Sequence, residues 1–432
     1  MFYIFLYICF FLMVFFLRIT FFEKKTEKKY VYRLWFSVAL IYGLYAIIAS
    51  LSNEGENFLF SHSDQWKFYN LSDKLADSFS LSQIWKACFV DRVNGDNEGA
   101  YFLFGVVGYI GKHFFDGNSM MLQMICTSLF SSLIILLLYR LLLYYTNEKN
   151  AYNFALTYAI LSCIFPNSAW ILRDIHISLI TLYILVLMHG NFSFTKLFLQ
   201  VLASIVLMEF RFENGLFCLC MILMFTFVSS TSSYEKWKII LARILILCCI
   251  AISFRMLLNQ VGLISQSMED YSDYKQSTVD NSGGLIGILY RLPVGFKELA
   301  VMVYSQLQPL PCWSSFPYAE TTSQYIVAFA RMISPLYWTY VWYVIIRCLR
   351  TKNRPLLPFH LKILLGIFVL YLFLNTSEIL VRRLMCFYPI VYATFVYYIT
   401  RLSQKQHRLY IWHSVVLICG LYLVYLVMYI FK

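Results

Sequence analysis

The chain has 432 residues, 60% of them hydrophobic and only 13% charged. With a mean hydropathy of +0.66, it has too little polar surface to coat a soluble globule, which places it among integral membrane proteins. The net charge of +12 points to lipid headgroups rather than nucleic acid, because lysine and arginine fall largely in short connectors between apolar runs.

Apolar runs predict helical spans at roughly Phe2–Phe22, Leu34–Ser52, Ser119–Tyr145, Ala151–Phe165, Ser168–Met188, Lys196–Phe210, Gly215–Ser230, Ile239–Leu258, Gln324–Ile346, Leu361–Leu374, Met385–Thr400 and Leu409–Ile430. A crossing helix needs about 20 residues, so the shorter runs borrow flanking residues or tilt little. The expected fold is all-α, a single membrane domain over residues 1–432 with about twelve spans. The first run lacks a basic leader and a small-residue cleavage site, and Lys24, Lys25, Lys28 and Lys29 follow it. It reads as a retained anchor with its N-terminus outside.

Tyr101–Phe115 is apolar but short, carries Gly105, Gly108 and Gly111, and ends near Lys112 and His113. It reads as a re-entrant or interfacial helix. If it does not cross, the basic connectors Lys24–Arg33, Lys236–Lys238, Arg347–Arg354 and Arg401–Arg408 all fall in the cytoplasm, as the positive-inside rule requires. Two long loops then lie outside, Asn53–Asn118 and Asn259–Ser323. The first mixes Asp64, Asp73, Asp77, Asp91, Asp96 and Glu98 with Trp66, Tyr69, Phe79 and Trp85 at near-helical spacing, as in amphipathic helices lying on a bilayer. The second opens with Glu269, Asp270, Asp273 and Ser282-Gly283-Gly284, then runs through Pro309, Pro311, Trp313 and Pro317, too broken for a regular helix. Loops of this length are more often functional than idle.

Most cysteines lie in apolar runs, where they act as small hydrophobes. Cys88 and Cys312 fall in the outer loops, in territory that permits disulfides, and are expected to approach closely enough to be bridged. No CxxC pair, zinc spacing, P-loop, GxGxxG or HExxH motif occurs.

An arginine in the apolar interior costs about 2.5–3.5 kcal/mol on insertion scales. Arg140, Arg243 and Arg347 can snorkel at cytoplasmic ends. At outer ends, Arg173 and Asp174 open one span, Arg211 and Glu213 fill the turn between two others, Arg255 closes a fourth, Arg331 lies inside a fifth, and Arg382 and Arg383 precede a sixth. Arg173, Arg211 and Arg382 can pair with Asp174, Glu213 and Glu378. Neighbours in sequence face different ways on a helix, however, which leaves room for an external anion. Guanidinium groups offer bidentate bonds to phosphate, so the cluster suits a diphosphate clamp. Asp64 and Glu98 are the candidates to deprotonate an acceptor hydroxyl or to hold a divalent metal, with His62, His113 and His176 as lesser bases. A solvated surface charge is the plainer account of any one loop carboxylate.

These residues carry a resemblance. Asp64-x4-Tyr69 in an outer loop, Glu98-Gly-Ala-Tyr101 opening an apolar helix, and Leu172-Arg173-Asp174 at the head of a span look like bacterial polysaccharide repeat-unit polymerases of the Wzy type. The Asp64 loop with amphipathic helices behind it is also similar to C-type membrane glycosyltransferases. Arg382 and Arg383 followed by Tyr388-Pro389 add a late element seen in both. The chain departs from the first pattern at Gly99 and Asp174 and from the second at Gln65.

The resemblance implies transfer on the outer face of the bacterial plasma membrane, from a polyprenyl-diphosphate-linked saccharide to a saccharide acceptor. It makes Asp64 and Glu98 the acid–base residues, and Arg173, Asp174, Arg211, Glu213, Arg382, Arg383, Tyr69 and Tyr101 the substrate contacts. It leaves room for a divalent metal and for a chain-length regulator as partner. Polymerase and single-sugar transferase both stay open. A flippase of lipid-linked sugars would explain the arginines but not the long outer loops, and it predicts internal repeats that the chain does not display. A non-catalytic scaffold would explain the spans alone.

Overall fold

In the computed structural model, one long helix occupies the centre. It is α5 (Met120–Leu142) in the order α1 (Lys28–Ser52), α2 (His62–Ala76), α3 (Leu81–Trp85, continued by a π-turn, Lys86–Val90), α4 (Glu98–Phe114), α5, α6 (Glu148–Leu161), α7 (Ile164–Asn167), α8 (Arg173–Met188), α9 (Phe194–Phe210), α10 (Phe212–Val228), α11 (Phe296–Leu307), α12 (Thr322–Arg350), α13 (Phe359–Leu374), α14 (Val381–Leu384), α15 (Tyr388–Ile399) and α16 (Gln404–Ile430). The structure describes residues 28–52, 62–78, 80–92, 98–115, 117–189, 193–228, 295–309, 311–351, 355–374 and 381–430, with a few positions between 240 and 293. Among these there is no strand, and the fold is an all-α membrane helix bundle.

Three described helices are long and apolar enough on their own to cross a bilayer: Lys29–Ser52, Met120–Leu142 and Gln404–Val427. Burial separates their roles, since 83% of the apolar window of α5 is buried against 11% for α16. α5 is the hub, packed on α1, α6 and α8, while α16 lies at the rim against α12. Lipid is as apolar as leucine, so such a hub is held by close packing and satisfied polar groups rather than by water exclusion. Thr127, Ser128, Ser131 and Ser132 supply both on α5. They are small, and each hydroxyl donates to a carbonyl three or four residues back, at 2.9, 2.8, 2.9 and 2.7 Å.

The helix starts follow local chemistry. Ser119 caps α5 by accepting from Leu122 N at 3.2 Å, Asn147 caps α6 by accepting from Asn150 N at 2.9 Å, and Thr321 with Gln324 forms a reciprocal capping box on α12. The described helices lie close to the expected apolar runs, with two adjustments. The run expected as Ala151–Phe165 stops as a helix at Leu161, and residues 162–172 form an irregular passage with one short turn at Pro166. Proline cannot donate to the helical ladder, and Asn167 Nδ2 and Tyr45 Oη instead bond the carbonyls of Cys163 and Pro166 at 2.6 and 3.1 Å. Ahead of α15, Arg382 and Arg383 sit on the one-turn helix α14 rather than in an open loop. Phe2–Phe22, most of Ile239–Leu258, Asp96, Arg255, Glu269, Asp270, Asp273, Glu378 and Ser282-Gly283-Gly284 lie outside the described residues.

The segment expected to form the first outer loop is built of α2, α3 and α4. The segment read as re-entrant is the 17-residue helix α4, packed on α2, α5 and α9. A polar network locks it: Tyr69 Oη donates to Asn118 O at 2.7 Å, Asn118 Nδ2 to Ser72 Oγ at 3.1 Å, and Gln123 Nε2 to Asn118 Oδ1 and Phe104 O at 2.9 and 3.0 Å. Lys112 closes the far end on Asp77 and Asp73 at 2.6 and 3.3 Å. Its hydrogen bond to Asp77 holds its pKa above the usual lysine value. From the segment expected as the second outer loop the structure describes α11 and, after it, turns with a short 3-10 helix at Phe316–Tyr318, as the prolines predict.

Candidate functional site

The site is assembled from three chain segments. The first is the start of α2, where Asp64 lies in the opening turn and Gln65 is buried behind it. Gln65 Oε1 accepts from Ile171 N at 3.1 Å, which docks the outer-loop helix onto the irregular passage just before Arg173. The second segment is α14, from which Arg382 Nη2 reaches Asp64 Oδ2 in a charge-assisted bond. The guanidinium is 17% exposed and the carboxylate 46%. The third segment is α12, whose Arg331 lies with its guanidinium carbon 5.2 Å from the centre of the Trp170 ring, a cation–π contact. Arg331 also acts through space on Arg382 and Tyr45.

Beside this group sits a second ion pair, more deeply buried. Arg211 is the single residue between α9 and α10, in extended backbone. Its Nη2 lies 3.0 Å from Asp174 Oδ1 in the first turn of α8, with the two side chains 10% and 6% exposed. The close crossing needs glycine at 215, because a Cβ there would overlap Met208 Cγ and lie 2.6 Å from Ser204 O. Arg173, one residue before Asp174, donates from Nη1 to Phe210 O at 3.2 Å, so both arginines brace the same corner. Cys386, two residues after α14, accepts from Asn214 Nδ2 at 3.5 Å and lies in the field of Arg211 and Asp174. Through Cys386 and its contact with Arg383 O at 3.3 Å, the two ion pairs share one stretch of chain.

The predicted residues separate into those brought to this locus and those built into its walls. Asp64, Arg173, Asp174, Arg211, Arg382 and Arg383 gather around residues 162–174 and 381–386. Asp174 pairs with Arg211 rather than with its neighbour Arg173, and Arg382 takes Asp64. Glu213 is exposed on α10. Tyr69 ties α2 to Asn118, and Tyr101 is a core residue with its ring 5.2 Å from that of Phe68. Both carry packing rather than an open substrate surface.

Glu98 also departs from expectation. It is 1% exposed, at the start of α4, where a Cβ on Gly99 would lie 2.9 Å from the Phe210 ring. Cys88 is its neighbour: burial first, then the charge and hydrogen bond of Glu98, push that thiol up to about 12. The expected Cys88–Cys312 bridge is absent, both thiols being free. The reason is their packing, Cys88 against Glu98 and Cys312 beside the last helix, where its backbone N donates to Tyr422 Oη at 3.1 Å. No cluster of three or more His, Cys, Asp or Glu able to hold a metal occurs among the described residues, and the site's acids are engaged by arginine or thiol. His176 is buried among Phe104, Phe130 and Phe210. His113 stacks on Tyr109 at 3.9 Å, and the His62 side chain lies outside the described residues.

Sequence reasoning did not assign Gln65, Trp170 or Arg331 to the site. Arg331 left a trace, as an arginine inside an apolar run, whereas Gln65 and Trp170 carry no signal in a single sequence.

Comparison with known proteins adds a distant likeness. Neither a family model nor a curated protein matches the sequence. Two solved structures of the oligosaccharyltransferase of Archaeoglobus fulgidus align with it. One, in complex with zinc and sulfate, has a TM-score of 0.43 at 14% identity, over 88% of this chain and 51% of that one. The other, tethered by a disulfide to an acceptor peptide containing the NVT sequon, has a TM-score of 0.31 at 11% identity, over 83% and 55%. The chain thus spans about half the length of the structures it matches, and likeness at this level fixes neither family nor activity.

Proposed function

We propose that the protein is a membrane glycosyltransferase that uses a polyprenyl-diphosphate-linked saccharide as donor on the outer face of the bacterial plasma membrane and joins repeat units into surface polysaccharide. The observation that carries this reading is the Asp64–Arg382 pair, a half-exposed carboxylate held by a mostly buried guanidinium, with Arg331, Arg173 and Arg383 nearby. Glycosyl transfer needs a base beside the acceptor and fixed positive charge where the leaving group gains negative charge, and the second is usually the larger effect. Asp64 is exposed enough to meet an acceptor, whereas Glu98 is closed off.

In this mechanism the acceptor hydroxyl oxygen attacks the anomeric carbon and gives its proton to Asp64. The bond from that carbon to the diphosphate oxygen breaks, and the lipid diphosphate leaves with the electron pair, stabilised by arginine. Asp174 and Arg211 neutralise each other and hold the heads of α8 and α10 in place.

The surface-polysaccharide ladder of a strain lacking this protein tests the reading. Single repeat units left on lipid support it. A truncated unit would instead indicate transfer of one sugar, and loss of all exported lipid-linked unit would indicate a flippase.

A further inference from the structure

We propose that Asp64 is a resident anion: without donor, its carboxylate fills the anion position of a guanidinium pair, Arg382 and Arg331, which the donor's diphosphate takes over, and the exchange frees Asp64 to accept the acceptor's proton. This rests on the proposed lipid-diphosphate chemistry and adds to it an order of events and a residue, Arg331.

Three observations carry it. Oδ2 of Asp64 is engaged by Arg382 Nη2, so this oxygen becomes available to a proton only when that bond opens. The two partners are unequally anchored: Arg382 is mostly buried on a one-turn helix, while the carboxylate lies 46% exposed on the opening turn of α2. Such a half-exposed pair is worth little, which makes it easy to displace. Arg331 is close enough to Arg382 for their charges to interact, and it rests on the Trp170 ring, which belongs to a passage that Gln65, the residue after Asp64, itself pins at 3.1 Å. A carboxylate presents two oxygens on one carbon. A diphosphate presents oxygens on two phosphorus atoms and can bond both guanidinium forks at once.

The exchange predicts a tax on donor affinity that vanishes when the carboxylate is removed. The experiment measures binding of farnesyl diphosphate to the full chain in phosphatidylcholine nanodiscs by calorimetry. Asp64→Asn should bind about fivefold tighter than the wild type, the size expected for a weak ion pair. Arg382→Ala and Arg331→Ala should each bind at least about tenfold more weakly, a loss in the range of hydrogen bonds to charged groups. Arg382→Lys and Arg331→Lys keep the charge without the fork; they should also weaken binding, and they carry the test if the alanine variants do not fold. The decisive comparison is a double-mutant cycle. In an Arg382→Ala background, or an Arg382→Gln background if the alanine variant does not fold, Asp64→Asn should no longer tighten binding as it does in the wild type. An equal gain there would mean simple charge repulsion and would overturn the exchange, as would an Asp64→Asn protein that binds no tighter than the wild type. Unaltered binding in both Arg331 variants would remove Arg331 from the site. Inorganic diphosphate should compete for the same site, and failure to compete at saturating excess overturns phosphate recognition. If farnesyl diphosphate binds to none of the variants, the donor chemistry itself fails, a result distinct from failure of the exchange.

Discussion

Asp64 and Arg382 stand 318 positions apart in sequence and meet through Nη2 and Oδ2, joining the first outer helix to the turn that leads into α15. Because the carboxylate is half exposed, the bond contributes little to stability, on the order of 0–1 kcal/mol. Under the proposed function its role is chemical. Asp64→Asn should therefore leave expression and melting temperature near wild type while abolishing polysaccharide formation, and Asp64→Glu should retain part of the activity. A glycan ladder of normal length from Asp64→Asn would remove this residue as the base.

The Asp174–Arg211 pair should behave in the opposite way. Both side chains are nearly buried, so removing one partner strands a charge and costs about 3–5 kcal/mol. Arg211→Gln or Asp174→Asn should lower the melting temperature sharply in detergent, and the double variant carrying both should lose less than the sum of the single losses. Additive losses would show that the two residues act independently.

Gly215 predicts a steric effect with a rescue. Gly215→Ala drives a methyl into Met208 Cγ and places it 2.6 Å from Ser204 O, which forces α9 and α10 apart. Overpacking of this kind costs about 1–3 kcal/mol. Met208→Ala should recover the part caused by the methionine and leave the part caused by the carbonyl, as read from the melting temperatures of the single and double variants.

Cys88→Ala should be more harmful than Cys88→Ser. Both remove the thiol, but serine keeps a donor for the buried Glu98 carboxylate, whereas alanine removes one, at a cost of about 1–3 kcal/mol. At pH 8 the native thiol, pushed up to about 12, should be inert to maleimide in the folded protein and react only after unfolding.

A reporter placed after Asn118 tests the topology. The sequence reading has α4 not crossing the bilayer, so such a fusion should read as external, and a cytoplasmic signal would overturn that topology.

Much of the fold was legible because apolar runs of membrane length leave few alternatives to helices. The break at Pro166 and Asn167 was legible as the gap between two expected spans, but its extent over 162–172 was not, since Cys163–Phe165 and Ala169–Leu172 continue the apolar pattern. For the site, residue types were readable and partners were not. A charge at a span end announces a need for compensation, but which of several acids answers depends on three-dimensional packing. Arg211 could have met Glu213 two residues away, yet the extended backbone at 211 directs it to Asp174 on another helix. Burial was hidden for the same reason: Glu98 and Asp64 look alike in the sequence, and only packing against Phe210 and Cys88 closes one of them off.

The one-residue connection at Arg211 makes α9 and α10 intolerant of length change. Each residue added to a helix rotates the remainder of that helix by about 100°. An insertion at this corner would have nowhere to be absorbed: it would swing the Asn214 face of α10 away from Cys386 and withdraw the guanidinium from Asp174 in the same motion. Substitutions can be tolerated there one contact at a time, but the spacing between the two helices is indivisible.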